Sequence, residues 1–214
     1  MSRLRLKISM SLDGFVAGPE QSVQNPLGIG GMRVHEWVFP LKAWRSEMGM
    51  QGGETNESSA VVEEGRANIG ATIMGRNMFG GHPGPWDAAK PWTGWWGSNP
   101  PYHHPVFVLT HHPREPLTLE GGNVFTFVTD GIEAALEQAR RAAGGKDVSL
   151  AGGARAAQQY LAAGLVDEME INLAPTLLGA GERLFDDVGD DLHGLALVRT
   201  VATPKVTHLK FSRA

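Results

Sequence analysis

The chain has 214 residues, 42% of them apolar and 20% charged, which is enough to fill one buried core and is ordinary for a soluble domain. A formal net charge of −4 offers no field for nucleic acid or an anionic membrane, so neither is expected as a partner, and any phosphate-binding charge must be local. Cysteine is absent, which excludes disulfides, thiolate nucleophiles and zinc–thiolate centres; no apolar run has the length of a signal peptide or a membrane span, so a cytoplasmic location is expected.

Residues 3–10 (RLRLKISM) alternate apolar and polar and predict a first strand. Asp13-Gly14 and Gly18-Pro19 signal turns, and residues 19–33, rich in Gly, Pro, Gln and Asn, read as a mobile loop. Trp37, Phe39 and Trp44 are bulky anchors on short elements. Thr55 or Asn56 can cap a helix running to about Asn68, with Val61 and Val62 inward and Glu63 and Glu64 outward. Residues 71–74 (ATIM) predict a short strand that stops at Gly75-Arg76. The stretch 80–105 holds Trp86, Trp92, Trp95 and Trp96 among many prolines and reads as irregular. Residues 106–110 (VFVLT) form an unbroken apolar run of the buried, parallel kind, and 124–128 is a further strand. Asp130 is expected to cap a helix in which Ile132, Ala135, Leu136 and Ala139 recur at helical spacing, and which Gly144-Gly145 ends. A strand over 148–151, a Gly152-Gly153 turn and a helix from Ala154 to Ala163 follow, then strands over 168–174, 196–201 and 206–211.

This order is the grammar of parallel βα units, so the fold class is α/β: a mostly parallel central sheet with helices on both faces. The last two strands are close enough for an antiparallel C-terminal edge hairpin. No linker composition divides the chain, so residues 1–214 are expected to be one domain.

Glycine, at 28 of 214 residues, is about twice its usual share of roughly 7%, and it clusters at element ends, where it permits close backbone approach. Gly152-Gly153 follows an apolar strand and opens a helix, where free N–H groups favour an anion; a tight turn with no ligand fits the same residues. Gly75-Arg76-Asn77 places an arginine at a strand's carboxyl end, suited to a phosphate or to a surface ion pair. Thr110-His111-His112-Pro113-Arg114 makes a local cationic cluster that a 2′-phosphate would fit. Three such strand ends together favour a nucleotide across the sheet edge. No metal is expected, because the neighbours His111-His112 and His103-His104 point apart on an extended chain and no carboxylate set accompanies them. Asp13 either caps a turn or positions a substrate. The tryptophan-rich stretch either packs a loop or a dimer surface, or walls a flat heterocycle.

The segments ISMSLDGFVAG (8–18), ATIMGRNMF (71–79), VFVLTHHP (106–113), VFTFVTDGIEAALEQA (124–139) and SLAGGARAAQQYL (149–161), with ERLF at 182–185, resemble the dihydrofolate-reductase-like family. The resemblance is closest to the branch that shares the reductase domain of bacterial riboflavin biosynthesis, the RibD C-terminal domain. It implies a three-layer dihydrofolate-reductase-like fold and NADPH as cofactor. Met10 and Ala17 would offer backbone bonds to the nicotinamide carboxamide. Gly75, Arg76, Asn77 and Met78 would hold the pyrophosphate and adenosine phosphate, Thr110 and His111 the 2′-phosphate. Gly152, Gly153 and Ala154 would lie against the pyrophosphate and the nicotinamide ribose. Family members often dimerise, so a homodimer is expected.

The departures are specific. Folate enzymes carry an acidic residue in their first long helix; here that helix reads NESSAVVEEGRANIG, with Glu57 as the candidate counterpart and without the usual Trp/Leu-Pro pattern. The 80–105 insertion has no place in minimal folate enzymes. The SLDG start is shared with pyrimidine reductases and supports Asp13 as a substrate-side residue, while the zinc-binding deaminase motif that accompanies many of them is missing. The resemblance implies a reductase that transfers a hydride from NADPH to a small, flat heterocycle of pyrimidine or pterin type, with Asp13, Glu57 or an ordered water delivering the proton. The alternative is a non-catalytic NADP(H)-binding protein acting as a sensor or assembly module.

Overall fold

A computed structural model describes residues 2–213. Six strands pair in parallel: β1 (Leu4–Ser11), β3 (Ile69–Gly75), β4 (Pro105–Leu109), β6 (Val124–Val128), β7 (Asp147–Gly152) and β8 (Glu168–Ala174). Their spatial order is β8-β1-β7-β3-β4-β6. The hairpin of β10 (Leu195–Thr203) and β11 (Val206–Arg213) joins antiparallel beside β8, and the short β5 (Leu117–Thr118) closes the opposite edge. One nine-stranded sheet therefore spans the chain. A separate ladder pairs β2 (Phe15–Ala17) with β9 (Glu182–Arg183). Both are too short to leave a periodic signal in the sequence.

Strand alternation decides what each face carries. Leu4 and Leu6 of β1, Ile73 of β3 and Leu150 of β7 point to one face and pack under α4 (Gly131–Ala142) and α5 (Ala154–Ala162), through Leu136, Ala139, Tyr160 and Leu161. Tyr160 is fully buried, and its hydroxyl donates to the Ile132 carbonyl at 2.8 Å, tying α5 to α4. On the other face lie Arg5 and Lys7. Arg5 pairs with Glu168 at 3.0 Å and Lys7 with Glu170 at 3.2 Å. Arg5 also donates to the carbonyls of Glu64 and Ala67, at 3.1 and 2.9 Å, satisfying acceptors at the end of α2 (Glu57–Arg66).

The same face is covered at its two ends by apolar clusters. Under α2 and α1 (Lys42–Glu47), Trp37, Val38, Leu41, Val62 and Val206 pack together. Over β3, β4 and β6, the insertion covers Met74, Val106, Val108, Phe125 and Phe127, with Phe79 of the short α3 (Arg76–Phe79) at the centre. Trp86 meets Phe79 and Phe127 edge-on, at centroid distances of 5.8 and 5.0 Å. The tryptophan-rich stretch thus packs within its own chain.

The start of α2 is capped as the sequence predicts: Ser59 N–H donates to Asn56 Oδ1 at 3.2 Å and Asn56 N–H to Ser59 Oγ at 3.1 Å. Asp130 differs from expectation. It occupies the residue before α4, but its side chain makes no capping bond. The 19–33 loop folds back on itself, with Gly18 N–H donating to Leu27 and Ile29 N–H to Pro19, both at 2.8 Å. Gly18 and Gly28 cross so closely that a Cβ on Gly28 would lie 2.2 Å from the Gly18 carbonyl oxygen.

His208 ties α2 to the sheet. It is 2% exposed, bonded through Nδ1 to Asn172 Oδ1 at 2.6 Å and through Nε2 to Ser58 Oγ at 2.9 Å, with Trp37 edge-on at 5.1 Å. Burial, with Lys7 and Arg199 nearby, pushes its pKa down to about 4 from 6.5. Below pH 6.5 the unfolded chain takes up a proton that folded His208 refuses, so stability falls as pH drops from about 6.5 to about 4. His35 and His104, also lowered by burial, act in the same direction. Thermal melts across this range should show the His208→Gln variant with a shallower slope, by up to about 1.4 kcal/mol per pH unit for one proton; an unchanged slope would contradict the assignment.

Candidate functional site

Parallel register sets the carboxyl ends of the strands side by side. Met74 is level with Gly152, Gly75 with Leu109, Leu109 with Val128, and Ser11 with Ala174. Met10 near the end of β1, Gly152-Gly153 at the end of β7, Gly75-Arg76 at the end of β3 and Thr110-His111 after β4 follow one another along one edge. A Cβ on Gly75 would lie 3.2 Å from Ala156 Cβ and 3.6 Å from Gly153 N. Gly152 has φ +113°, which favours glycine, and its missing side chain would meet Met78 Sδ at 3.8 Å. The Gly152–Gly153 peptide is cis. Nothing lies within 4 Å of where a Cβ on Gly153 would project. Gly153 opens α5 with no side-chain cap, so the first-turn N–H groups of Ala154 and its neighbours have no side-chain acceptor.

At the β3 and β4 ends the chemistry is cationic. Arg76 donates to the Gly80 carbonyl and, at 2.8 Å, to the His82 carbonyl, and its guanidinium lies 3.5 Å over the Trp86 ring. Arg114 approaches Trp86 and Phe127 at 5.0 Å each and donates to the Trp92 carbonyl at 2.6 Å. Trp86 Nε1 donates to the His112 carbonyl at 2.8 Å. Burial lowers the pKa of both guanidinium groups, and Arg114 lowers that of Arg76 further. Thr110 is buried and its hydroxyl accepts the His112 N–H at 3.1 Å, while His111 and Asn77 are exposed. Trp86 carries no periodic signal in the sequence; only the neighbouring Gly-Arg and Thr-His-His-Pro-Arg strand ends point toward it.

Ala17, buried on β2, stands beside β9, where a Cβ on Gly181 would meet its carbonyl oxygen at 2.0 Å. Asp13 joins the ends of β1 and β8. Its carboxylate accepts from Ser11 Oγ at 2.5 Å and from the backbone N–H groups of Leu178 and Gly179, at 3.1 and 2.7 Å. Ser11's hydrogen bond, with help from the two amides, holds Asp13 down to about 2. Glu57 is exposed on the side of α2 that faces β10, in an open groove of about 480 Å³ shared with Glu64, Arg199 and Thr200. Sheet order puts β11, β8 and β1 between β10 and β7, so the structure does not bring Glu57 to the Gly152-Gly153 turn. Ser9 is the residue that sequence periodicity does not single out: buried on β1, it accepts the Trp37 indole N–H at 3.1 Å beside the same edge.

Because Asp13 is ionised well below the usual carboxylate range, its anchoring contribution is present above about pH 4 and is lost as pH falls toward about 2. Asp13→Ala should lower the melting temperature at pH 7 and remove part of the acid destabilisation of the wild type in melts between pH 4 and 2. Identical acid limbs would show that the carboxylate anchors nothing.

Comparison with known proteins agrees with this architecture. The family model of the RibD C-terminal domain matches residues 2–209. No curated protein matches the chain by sequence. Among solved structures, a protein of Shewanella sp. PV-4 assigned to riboflavin biosynthesis superposes with a TM-score of 0.61 at 20% identity, over 99% of both chains. A Thermotoga maritima diaminohydroxyphosphoribosylaminopyrimidine deaminase/5-amino-6-(5-phosphoribosylamino)uracil reductase gives 0.58 at 14% identity, over all of this chain and 57% of that one. The dihydrofolate reductase of Enterococcus faecalis, solved with NADP(H), gives 0.51 at 12% identity, over 99% and 96% of the two chains. The fold is therefore dihydrofolate-reductase-like, and the chain belongs to the RibD C-terminal domain family.

Proposed function

We propose that this chain is an NADPH-dependent reductase acting on a small, flat heterocycle of pyrimidine or pterin type. The observation that carries the reading is the Gly152-Gly153 turn: open space lies before Gly153, uncapped N–H groups of α5 stand behind it, and Gly75 approaches from β3. A pyrophosphate needs such a bare main chain with positive partial charge. The residues present fit the cofactor. Gly152, Gly153 and Ala154 would hold the pyrophosphate and nicotinamide ribose, Gly75, Arg76, Asn77 and Met78 the adenosine phosphate, and Thr110 with His111 the 2′-phosphate. Met10 and Ala17 would offer backbone groups to the carboxamide. The known complex of the Enterococcus reductase with NADP(H) and the reductase named in the Thermotoga protein support the reading.

When bound, NADPH supplies the hydride. The chain's own task is then to align and to exclude water, and alignment alone is worth on the order of 7–11 kcal/mol in well-oriented systems. Asp13, being ionised, holds no proton to give at neutral pH; it fixes the 174–181 loop beside the β1 end. Glu57 lies on the far side of β11 and β8. In this reading water delivers the proton.

Titration with NADPH and NADH, followed by nicotinamide fluorescence, tests the reading. NADPH should bind more tightly than NADH, and a pyrimidine or pterin acceptor should oxidise it. If neither dinucleotide binds, the reductase reading fails; binding with no oxidation by any acceptor would favour a non-catalytic sensor. Gly153→Ala separates ligand from fold. The added methyl meets nothing within 4 Å beyond its own chain neighbours, so the melting temperature should hold, while NADPH affinity should drop about tenfold or more, equivalent to about 1.4 kcal/mol. Unchanged affinity would mean that no ligand approaches that main chain.

A further inference from the structure

Two guanidinium groups share one indole at the β3–β4 edge. Arg76 and Arg114 both lie within 5.0 Å of the Trp86 ring centroid, and Trp86 is itself fixed by its bond to the His112 carbonyl. Neither arginine takes part in any ion pair among the described residues. Carboxylates are not scarce, since Asp and Glu outnumber Lys and Arg by 23 to 19. Arg66 has one, and Arg5 and Arg199 have two each. Asp87, next in sequence to Trp86, turns away to accept the N–H groups of Ala89 and Lys90.

Like charges brought together in a half-buried place without a counter-ion repel, and they persist where a ring stabilises them and an anion completes them. Of the five N–H donors of a guanidinium, Arg76 uses two, on the Gly80 and His82 carbonyls, and Arg114 uses one, on that of Trp92. Arg76 Nε is buried with no partner. Donors therefore remain on both groups. Thr110, whose hydroxyl already belongs to the turn with His112, lies in sequence between the β4 end and Arg114.

We propose that Trp86 is the positioning residue of a two-arginine anion site: its indole holds Arg76 and Arg114 together so that their remaining donors grip a phosphomonoester dianion, setting the preference for NADPH over NADH. This rests on the dinucleotide reading and adds to it Trp86, a residue of the insertion, as the group that brings Arg76 and Arg114 together. The insertion is then part of the cofactor site: the aromatic packing of Trp86 on Phe79 and Phe127 makes the platform rigid, and the platform orders the charge.

The test compares wild type, Trp86→Ala, Trp86→Phe and Arg114→Gln, each titrated with NADPH and with NADH. Trp86→Ala and Arg114→Gln should weaken NADPH binding about tenfold or more, the scale of losing a charge-assisted hydrogen bond, and should change NADH binding less than about twofold. Trp86→Phe, which keeps a ring face, should restore most of the NADPH affinity. Equal weakening for both dinucleotides, or no change for either, overturns the proposal. If Trp86→Ala does not fold by circular dichroism, Arg114→Gln decides alone. A wild type that binds NADH as tightly as NADPH overturns the phosphate site and leaves the dinucleotide reading standing; a wild type that binds neither removes both.

Discussion

Parallel pairing forces each connection in the middle of this sheet to cross a face and return, so β8, β1, β7, β3, β4 and β6 all release the chain at the same edge. Everything that looks like chemistry follows from that constraint. Gly75 lets main chain approach main chain where the strands stop, with Gly153 N 3.6 Å from where its Cβ would project, and Ala156 of α5 packs against it. Gly75 and Leu109, 34 positions apart in sequence, and Met74 and Gly152, 78 apart, become neighbours because the register leaves them level. A ligand at this edge would be met by first-turn N–H groups of α5 that take no side-chain cap among the described residues.

The face opposite α4 and α5 divides its work by strand. Over β1 and β8 it is ionic, with Arg5, Lys7, Glu168 and Glu170 paired beneath α2. Over β3, β4 and β6 it is aromatic, and the insertion supplies the cover. The division matters at the edge. On the ionic side Arg5, Lys7, Arg199 and Lys210 are each matched by a carboxylate, whereas on the aromatic side Arg76 and Arg114 rest on an indole and have no ion-pair partner among the described residues. Charge is therefore held locally positive on a chain whose total is negative.

The strands were legible because their apolar runs are bounded by turn-forming residues, Pro105 and Pro113 in one case and Gly122 and Gly131 in the other: residues 106–110 anticipate β4 and 124–128 coincide with β6. The Asn56 cap was legible for the same local reason. What could not be read depends on contacts distant in sequence. β2 and β9 exist only as partners of each other. Nothing local in the 206–211 strand marks His208 as buried, because its burial depends on α2, which closes over it through Ser58. Asp13 left two readings open, and only the Leu178 and Gly179 amides, 165 and 166 residues on, show that its carboxylate is engaged as an anchor. Glu57 could be placed on a helix by its sequence but not on a side of it. Trp86 is the sharpest case: neither its burial nor its two arginines leave a pattern in an irregular, proline-rich stretch.

The central claim is one of place: a dinucleotide occupies the common carboxyl edge of the parallel strands. Hydrogen–deuterium exchange with and without NADPH tests it most directly, because it reports position whatever the substrate is. The account predicts added protection over residues 74–79, 110–114 and 151–157, with the α2–β10 groove unaffected. Protection confined to that groove, or none at the three strand ends while NADPH is bound, would contradict it.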